Sequence, residues 1–196
     1  MRSQSEPTRS KAQAARQRGR WAVLRGTSGA QLVELALSTP LLLVFLVGMS
    51  DFGSALDLKQ KLTNAAREGA RIAASQSRAD LTQSTPPSVL ALEAAVANYM
   101  ANAHVTTCVI NTTPTATGNF TWAFSSTTTG CTANPIVIIA RNVPVTANGT
   151  TALCTQVTVK YPFAWSFGHV IGLVAPGARY PGTIWLSTSA IMKNLT

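Results

Sequence analysis

Glu34 is the side chain whose surroundings most demand a chemical role, because it stands at the head of an otherwise uncharged apolar run. A carboxylate inside a hydrocarbon-crossing segment is costly, and it marks either a functional position or the interfacial end of a span. Other reactive types are sparse. Cys108, Cys131 and Cys154 all fall in the C-terminal half, where an oxidising compartment permits one bridge and leaves one thiol over. None has zinc-ligand spacing, and His104 and His169 are isolated, so no metal site is expected. A thiol–imidazole pair survives only as Cys108 with His104, a chance-level proximity. No Asp or Glu follows Glu93, which removes paired-carboxylate chemistry and carboxylate-oriented triads from that half of the chain. There is no phosphate loop or nucleotide fingerprint. Neither an enzyme, a cofactor nor a small-molecule substrate is expected.

The elements that hold Glu34 come next. Leu35–Gly48 carries no charge, and Ala30–Ser50 as a unit reaches the roughly 20 residues that a spanning helix needs. Residues 1–29 contain seven of the sixteen Lys and Arg, opposed by Glu6 alone, so this leader holds +6 of the formal +9. A basic stretch before an apolar run keeps the N-terminus cytoplasmic. The leader lacks interleaved aromatics, which disfavours a nucleic-acid partner. The helical pattern continues past the apolar run. Phe52, Ala55, Leu56, Leu62, Ala66, Ala70 and Ala73 recur at helical spacing, with Lys59, Lys61, Arg67, Glu68, Arg71 and Arg78 largely opposite. One helix from about Gln31 to Ser75 is predicted, bent or loosened at Pro40, where a backbone donor is missing. An ordinary signal peptide would stop after the apolar core, and Gly48-Met49-Ser50 is a poor cleavage site.

Ser28-Gly29-Ala30-Gln31-Leu32-Val33-Glu34 places a glycine before the apolar helix and a glutamate five residues beyond it. This resembles the type IV prepilin signal, which implies cleavage between Gly29 and Ala30 by a membrane-embedded prepilin peptidase. The new ammonium at Ala30 would then pair with Glu34 of a subunit already assembled, an ion pair that specifies register more than stability. The sequence departs from that signal in having Thr27-Ser28 before the glycine. Further on, Val33-Glu34-Leu35-Ala36-Leu37, Pro40-Leu41-Leu42-Leu43, Asp51-Phe52-Gly53 and Leu62-Thr63-Asn64-Ala65-Ala66-Arg67-Glu68-Gly69-Ala70-Arg71 follow in order. Over about Gly29–Ala74 the chain resembles the TadE-like family of the bacterial tight-adherence pilus apparatus. The resemblance implies a minor pilin or pseudopilin in the inner membrane, with other pilin or pilus-assembly subunits as partners. It singles out Pro40, Ala66, Arg67, Glu68, Gly69 and Arg71 as motif residues. By their chemistry alone, Arg67, Glu68 and Arg71 fit a solvated helix face equally well. Gly69 costs a helix roughly 1 kcal/mol relative to alanine, which hints at a close neighbour.

The rest of the chain predicts an α+β fold, a long helix on a small antiparallel sheet with a second short helix. Residues 77–87 read as a linker, and Pro86-Pro87-Ser88 opens a helix with Val89, Leu92, Ala95, Val96 and Tyr99 or Met100 on one face. Predicted strands are Val105–Asn111, Asn119–Phe124, Ile136–Val145, Thr155–Tyr161 and Thr183–Met192, with a turn at Ala147-Asn148-Gly149. Ile184–Met192 resembles the closing strand of TadE-like proteins. The organisation expected is a leader (1–29), the family helix (30–76), the linker (77–87) and an exported domain (88–196). Cys154 is expected in a disulfide, with Cys131 as its partner and Cys108 as the alternative, since spacing does not decide connectivity. The Asn-x-Thr sequons at Asn111, Asn119 and Asn148 are frequent in a Thr-rich chain and carry no weight. Two classes of function follow: an assembly component of a pilus acting in adherence, or a membrane-anchored adhesin outside any filament. Tyr161, Phe163, Trp165 and Phe167 suit a core face better than a binding loop.

Overall fold

The structure is a computed structural model that describes residues 27–106, 113–125, 135–168, 177 and 182–195. Two helices and five strands follow in the order α1 (Thr27–Ser75), α2 (Pro87–Asn102), β1 (Thr115–Gly118), β2 (Thr121–Ser125), β3 (Ile136–Ala147), β4 (Thr150–Ala164) and β5 (Thr183–Lys193). The strands form one antiparallel meander in chain order, so the fold is α+β as expected. The chain divides into two compact units, residues up to Val47 and Gly48–Thr196.

The first unit contributes the apolar half of α1. Its most hydrophobic 18-residue window has a mean hydropathy of 2.1, and none of that window is buried within the chain. By length and composition this helix is able to cross a membrane. The helix runs unbroken through Pro40. Just before it, the Ser38 and Thr39 hydroxyls donate to the carbonyls of Glu34 and Leu35, at 2.8 and 2.7 Å. Such back-bonding satisfies the hydroxyls in an apolar setting and adapts the helix beside a proline.

In the second unit the core is made by small residues of α1, one face of α2 and one face of the sheet. Leu62, Ala65, Ala66, Ala70 and Ala73 are buried against Val89, Leu92, Val96 and Met100 of α2. Trp122 and Phe124 of β2, Val137 and Ile139 of β3, and Val157, Val159 and Tyr161 of β4 complete it. The alternation along each strand is the two-residue period of a sheet with one covered face. Phe52 and Leu56 depart from expectation: both are exposed, at 64% and 60%. A helix turns by 100° per residue, and the buried stripe through Ala55, Leu62, Ala66 and Ala73 leaves those two on its flanks.

Local chemistry explains the other departures. The strand expected at Val105–Asn111 does not begin at Val105. That residue donates its N–H to the Met100 carbonyl at 2.9 Å, His104 donates to Ala101 at 3.0 Å, and His104 sits at φ 54°. This left-handed closure is the Schellman pattern that ends a helix. Residues 107–111 of that expected strand lie outside the described residues. β1 is not among the predicted strands, and β4 begins five residues before the predicted Thr155. The Asn148-Gly149 turn forms as predicted, at φ 50° and 76°, the two left-handed positions of a two-residue hairpin. Residues 77–87 are tied down: Asp80 accepts from the Ser88 backbone N–H at 2.7 Å and from its hydroxyl at 2.9 Å. Asp80 thereby satisfies a free donor in the first turn of α2, whose flanking residue Pro86 offers no side-chain cap.

Arg141 connects sheet and helix. A bulge between Ala140 and Val143 sets two β3 residues opposite one of β4, with Asn142 at φ 56°. The Arg141 side chain, 2% exposed, donates to the carbonyls of Ala73, Gln76 and Ser77 at 3.3, 3.1 and 3.3 Å. Leu195 N–H adds a bond to the Ala74 carbonyl at 3.0 Å. The C-terminus of α1, with its partial negative charge, is thus closed by a cation and a backbone donor from distant segments. Burial pushes the Arg141 guanidinium below its ordinary value, with nearby Asp80 opposing the shift and Arg78 adding to it.

Candidate functional site

The motif segment of α1 uses two faces for two purposes. Ala65, Ala66, Gly69, Ala70 and Ala73 point inward, and their small size lets the helix approach α2 and β4 closely. A Cβ built on Gly69 would stand 2.6 Å from Val96 Cγ2 and 3.3 Å from Val157 Cγ1. No real Cβ tolerates the first distance, so the glycine is required by packing within this chain. That answers the hint of a close neighbour: the neighbour is intramolecular.

The outward face carries Gln60, Asn64, Arg67 and Arg71, at spacings of four, three and four residues. Here the two arginines differ. Arg71 donates from Nε to Glu68 Oε2 at 2.9 Å and from Nη2 to Oε1, a two-pronged pair. The hydrogen bonds from Arg71 hold the Glu68 carboxyl below its ordinary value and the pair raises the guanidinium in return. Arg67 is exposed and forms no ion pair among the described residues. Two open clefts flank it. One of about 620 Å³ lies between Thr63–Arg71, Tyr99 of α2 and Ser189–Met192 of β5. A smaller one of about 450 Å³ runs from Leu56 to Arg67. Thr63, which lines both clefts, meets the Thr188 hydroxyl at 3.0 Å and joins α1 to the edge strand β5. An open groove that combines Arg67 and Arg71 with the apolar side chains of Tyr99, Ile191 and Met192, beside a strand that is the sheet edge among the described residues, is suited to receiving another chain. Among the described residues no three His, Cys, Asp or Glu come together.

The N-terminal residues singled out from the sequence occupy the other unit. Gly29 and Ala30 are exposed within the first turns of α1, and nothing lies within 4 Å of where a Gly29 side chain would begin. Glu34 is exposed and has no ion-pair partner among the described residues. Gly29, Ala30, Glu34 and Pro40 belong to the apolar unit, and Ala66, Arg67, Glu68, Gly69 and Arg71 to the folded one.

The disulfide expectation is not supported. Cys154 is a free, buried thiol, its Sγ 3.8 Å from the Ala152 carbonyl, while Cys108 and Cys131 lie outside the described residues. Within a tight sheet register opposite Val143, Cys154 serves as a small apolar side chain.

Two residues with structural roles escaped sequence reading. Arg141 interrupts the apolar run Ile136–Ala140, and a lone cation in a buried strand is a signal for a bulge with a buried acceptor set. Asp51 is 6% exposed and accepts from the Phe167 backbone N–H at 2.6 Å. Its place in Asp51-Phe52-Gly53 was visible, but its acceptor role was not.

Residues 29–71 match the family model described as TadE-like protein. No curated protein and no solved structure is detectably similar to the chain. The matched segment begins at Gly29 and ends at Arg71, so it contains the apolar half of the helix, Glu34 and the two-faced motif as far as Arg71.

Proposed function

We infer that this chain, whose residues 29–71 form a TadE-like segment, is a minor pilin or pseudopilin of a tight-adherence pilus. In this reading it is a structural subunit acting in pilus biogenesis and surface adherence, not an enzyme. The observation that carries the inference is the double character of α1. The most apolar window of its first half is not buried among the described residues, while its second half is locked by small residues into an α+β domain. A helix of this kind is built to be anchored in one environment and to present a domain in another.

The single span crosses the bacterial inner membrane with the basic leader in the cytoplasm and the sheet domain in the periplasm, as the Lys and Arg bias of residues 1–29 directs. Prepilin peptidase cleaves between Gly29 and Ala30. Space around Gly29 supports this reading, because the fold itself makes no demand for a glycine there. Glu34, exposed and without an ion-pair partner among the described residues, then receives the new N-terminus of a neighbouring subunit.

The test is intact mass and N-terminal sequence of the membrane-extracted protein. Wild type should begin at Ala30, and Gly29→Val should retain the leader while folding normally. Glu34→Ala should be cleaved yet fail to assemble. A mature chain beginning near Asp51 would show that ordinary signal peptidase acts, and the pilin reading would be withdrawn.

A further inference from the structure

We propose that the part of the folded unit that adjoins Gly48 carries an aromatic collar that docks onto the bilayer surface from which α1 emerges. This rests on the membrane-anchored reading above and adds a lipid-contacting surface to it. The apolar run of α1 ends near Gly48, and the side chains that follow are organised around it. Asp51 is buried and binds the Phe167 N–H at 2.6 Å, which fastens the chain following β4 to the helix at this level. Gly48 completes the junction, since a Cβ there would meet the Phe167 ring at 3.7 Å. Phe52 packs edge-on against Trp165, with ring centroids 5.3 Å apart, and Trp165 packs on Phe163 at 5.0 Å. Despite that stacking Phe52 remains 64% exposed. Trp185, opposite Pro162 near the same end of the β4–β5 pair, is 54% exposed.

Depth decides the occupant. Phe52 lies four residues beyond Gly48, about 6 Å at 1.5 Å of rise per residue. The headgroup layer on each side of the hydrocarbon is roughly 5–7 Å thick. The collar therefore begins within that layer, where rings with an apolar body and, in tryptophan, a polar N–H are favoured. Asp51, the carboxylate at this level, is turned inward onto a backbone donor, so it presents no exposed charge to the lipid. The partner is accordingly the glycerol and headgroup region of the bilayer that holds the span.

Full-length protein in nanodiscs containing phospholipid with a headgroup-proximal nitroxide tests this. All variants carry Trp21→Phe, which removes the leader fluorophore. Tryptophan emission should be quenched, and Trp165→Phe combined with Trp185→Phe should remove most of the quenching, leaving buried Trp122 as an unquenched internal control. Phe52→Trp keeps an aromatic ring and should add quenched emission. Leu195→Trp, at a site bonded to the far end of α1, should add emission that is not quenched. Co-elution with nanodiscs reads the anchor separately. Protein that co-elutes but shows no quenching of Trp165, of Trp185 or of the indole introduced by Phe52→Trp overturns the collar and leaves the anchor standing. Protein that does not co-elute overturns both.

Discussion

Replacing Gly69 by alanine introduces a methyl group 2.6 Å from Val96 Cγ2 and 3.3 Å from Val157 Cγ1. Carbon atoms pack comfortably at about 3.5–4.0 Å, so the first contact overlaps by roughly 1 Å. Val96 cannot easily yield, because it is completely buried and a β-branched side chain in a helix has one dominant rotamer. Inserting a methyl group into a filled core costs about 1–3 kcal/mol. Alanine in place of glycine returns about 1 kcal/mol of helix propensity. The net expectation for Gly69→Ala is a loss of about 1 kcal/mol, a drop of roughly 2–4 °C in melting temperature for a unit of this size. Val96→Ala alone should cost on the order of 2 kcal/mol through lost burial and a cavity. In the double variant the new methyl enters the space that Val96 vacates. Its stability should then exceed the sum of the singles by about 1–2 kcal/mol, a coupling of the size seen between residues in contact. Urea unfolding of the full chain in detergent, followed by circular dichroism, measures all four corners. Stabilisation by Gly69→Ala of the full propensity increment, or strict additivity in the double variant, would refute the packing argument.

Three further outcomes are expected. Arg141→Met keeps the aliphatic stem but removes the three bonds to carbonyls at and just beyond the end of α1, and should cost on the order of 2–3 kcal/mol, with faster amide exchange in residues 70–77 as the local readout. Unchanged exchange there would rule out the cap. Burial raises the Glu93 carboxyl above its ordinary 4.5, so between that value and its folded value the folded chain holds a proton that the unfolded chain has lost. Stability should fall as pH rises through this window, and Glu93→Gln should flatten that fall and raise the melting temperature at pH 7; identical pH profiles would contradict it. Arg67→Glu should change stability by less than about 0.5 kcal/mol, as an exposed site without an ion pair does, yet reduce co-purification with pilus components. Normal piliation in that variant would remove the groove beside β5 from the assembly surface.

What the sequence determined by itself was local or periodic. The long helix follows from an apolar run that, despite Pro40, passes directly into a small-residue pattern at helical spacing. The hairpin follows from Asn148-Gly149, the residues that most readily take two left-handed positions in succession. The motif from Gly29 to Arg71 was readable as a family likeness because its spacing is written along one element. The tertiary structure decided whatever depends on segments far apart in the chain. Gly69 hinted at a close neighbour, and only the fold identified it as Val96 and Val157. The three-residue spacing allowed Glu68 to pair with Arg71, and side-chain geometry showed that it does, while Arg67 forms no ion pair among the described residues. Phe52 shares its spacing with the core but meets Trp165, more than a hundred residues away, instead of the alanine stripe's neighbours. Arg141 gave no periodic signal at all, since its acceptors are backbone carbonyls, which every residue carries, at and just beyond the end of α1.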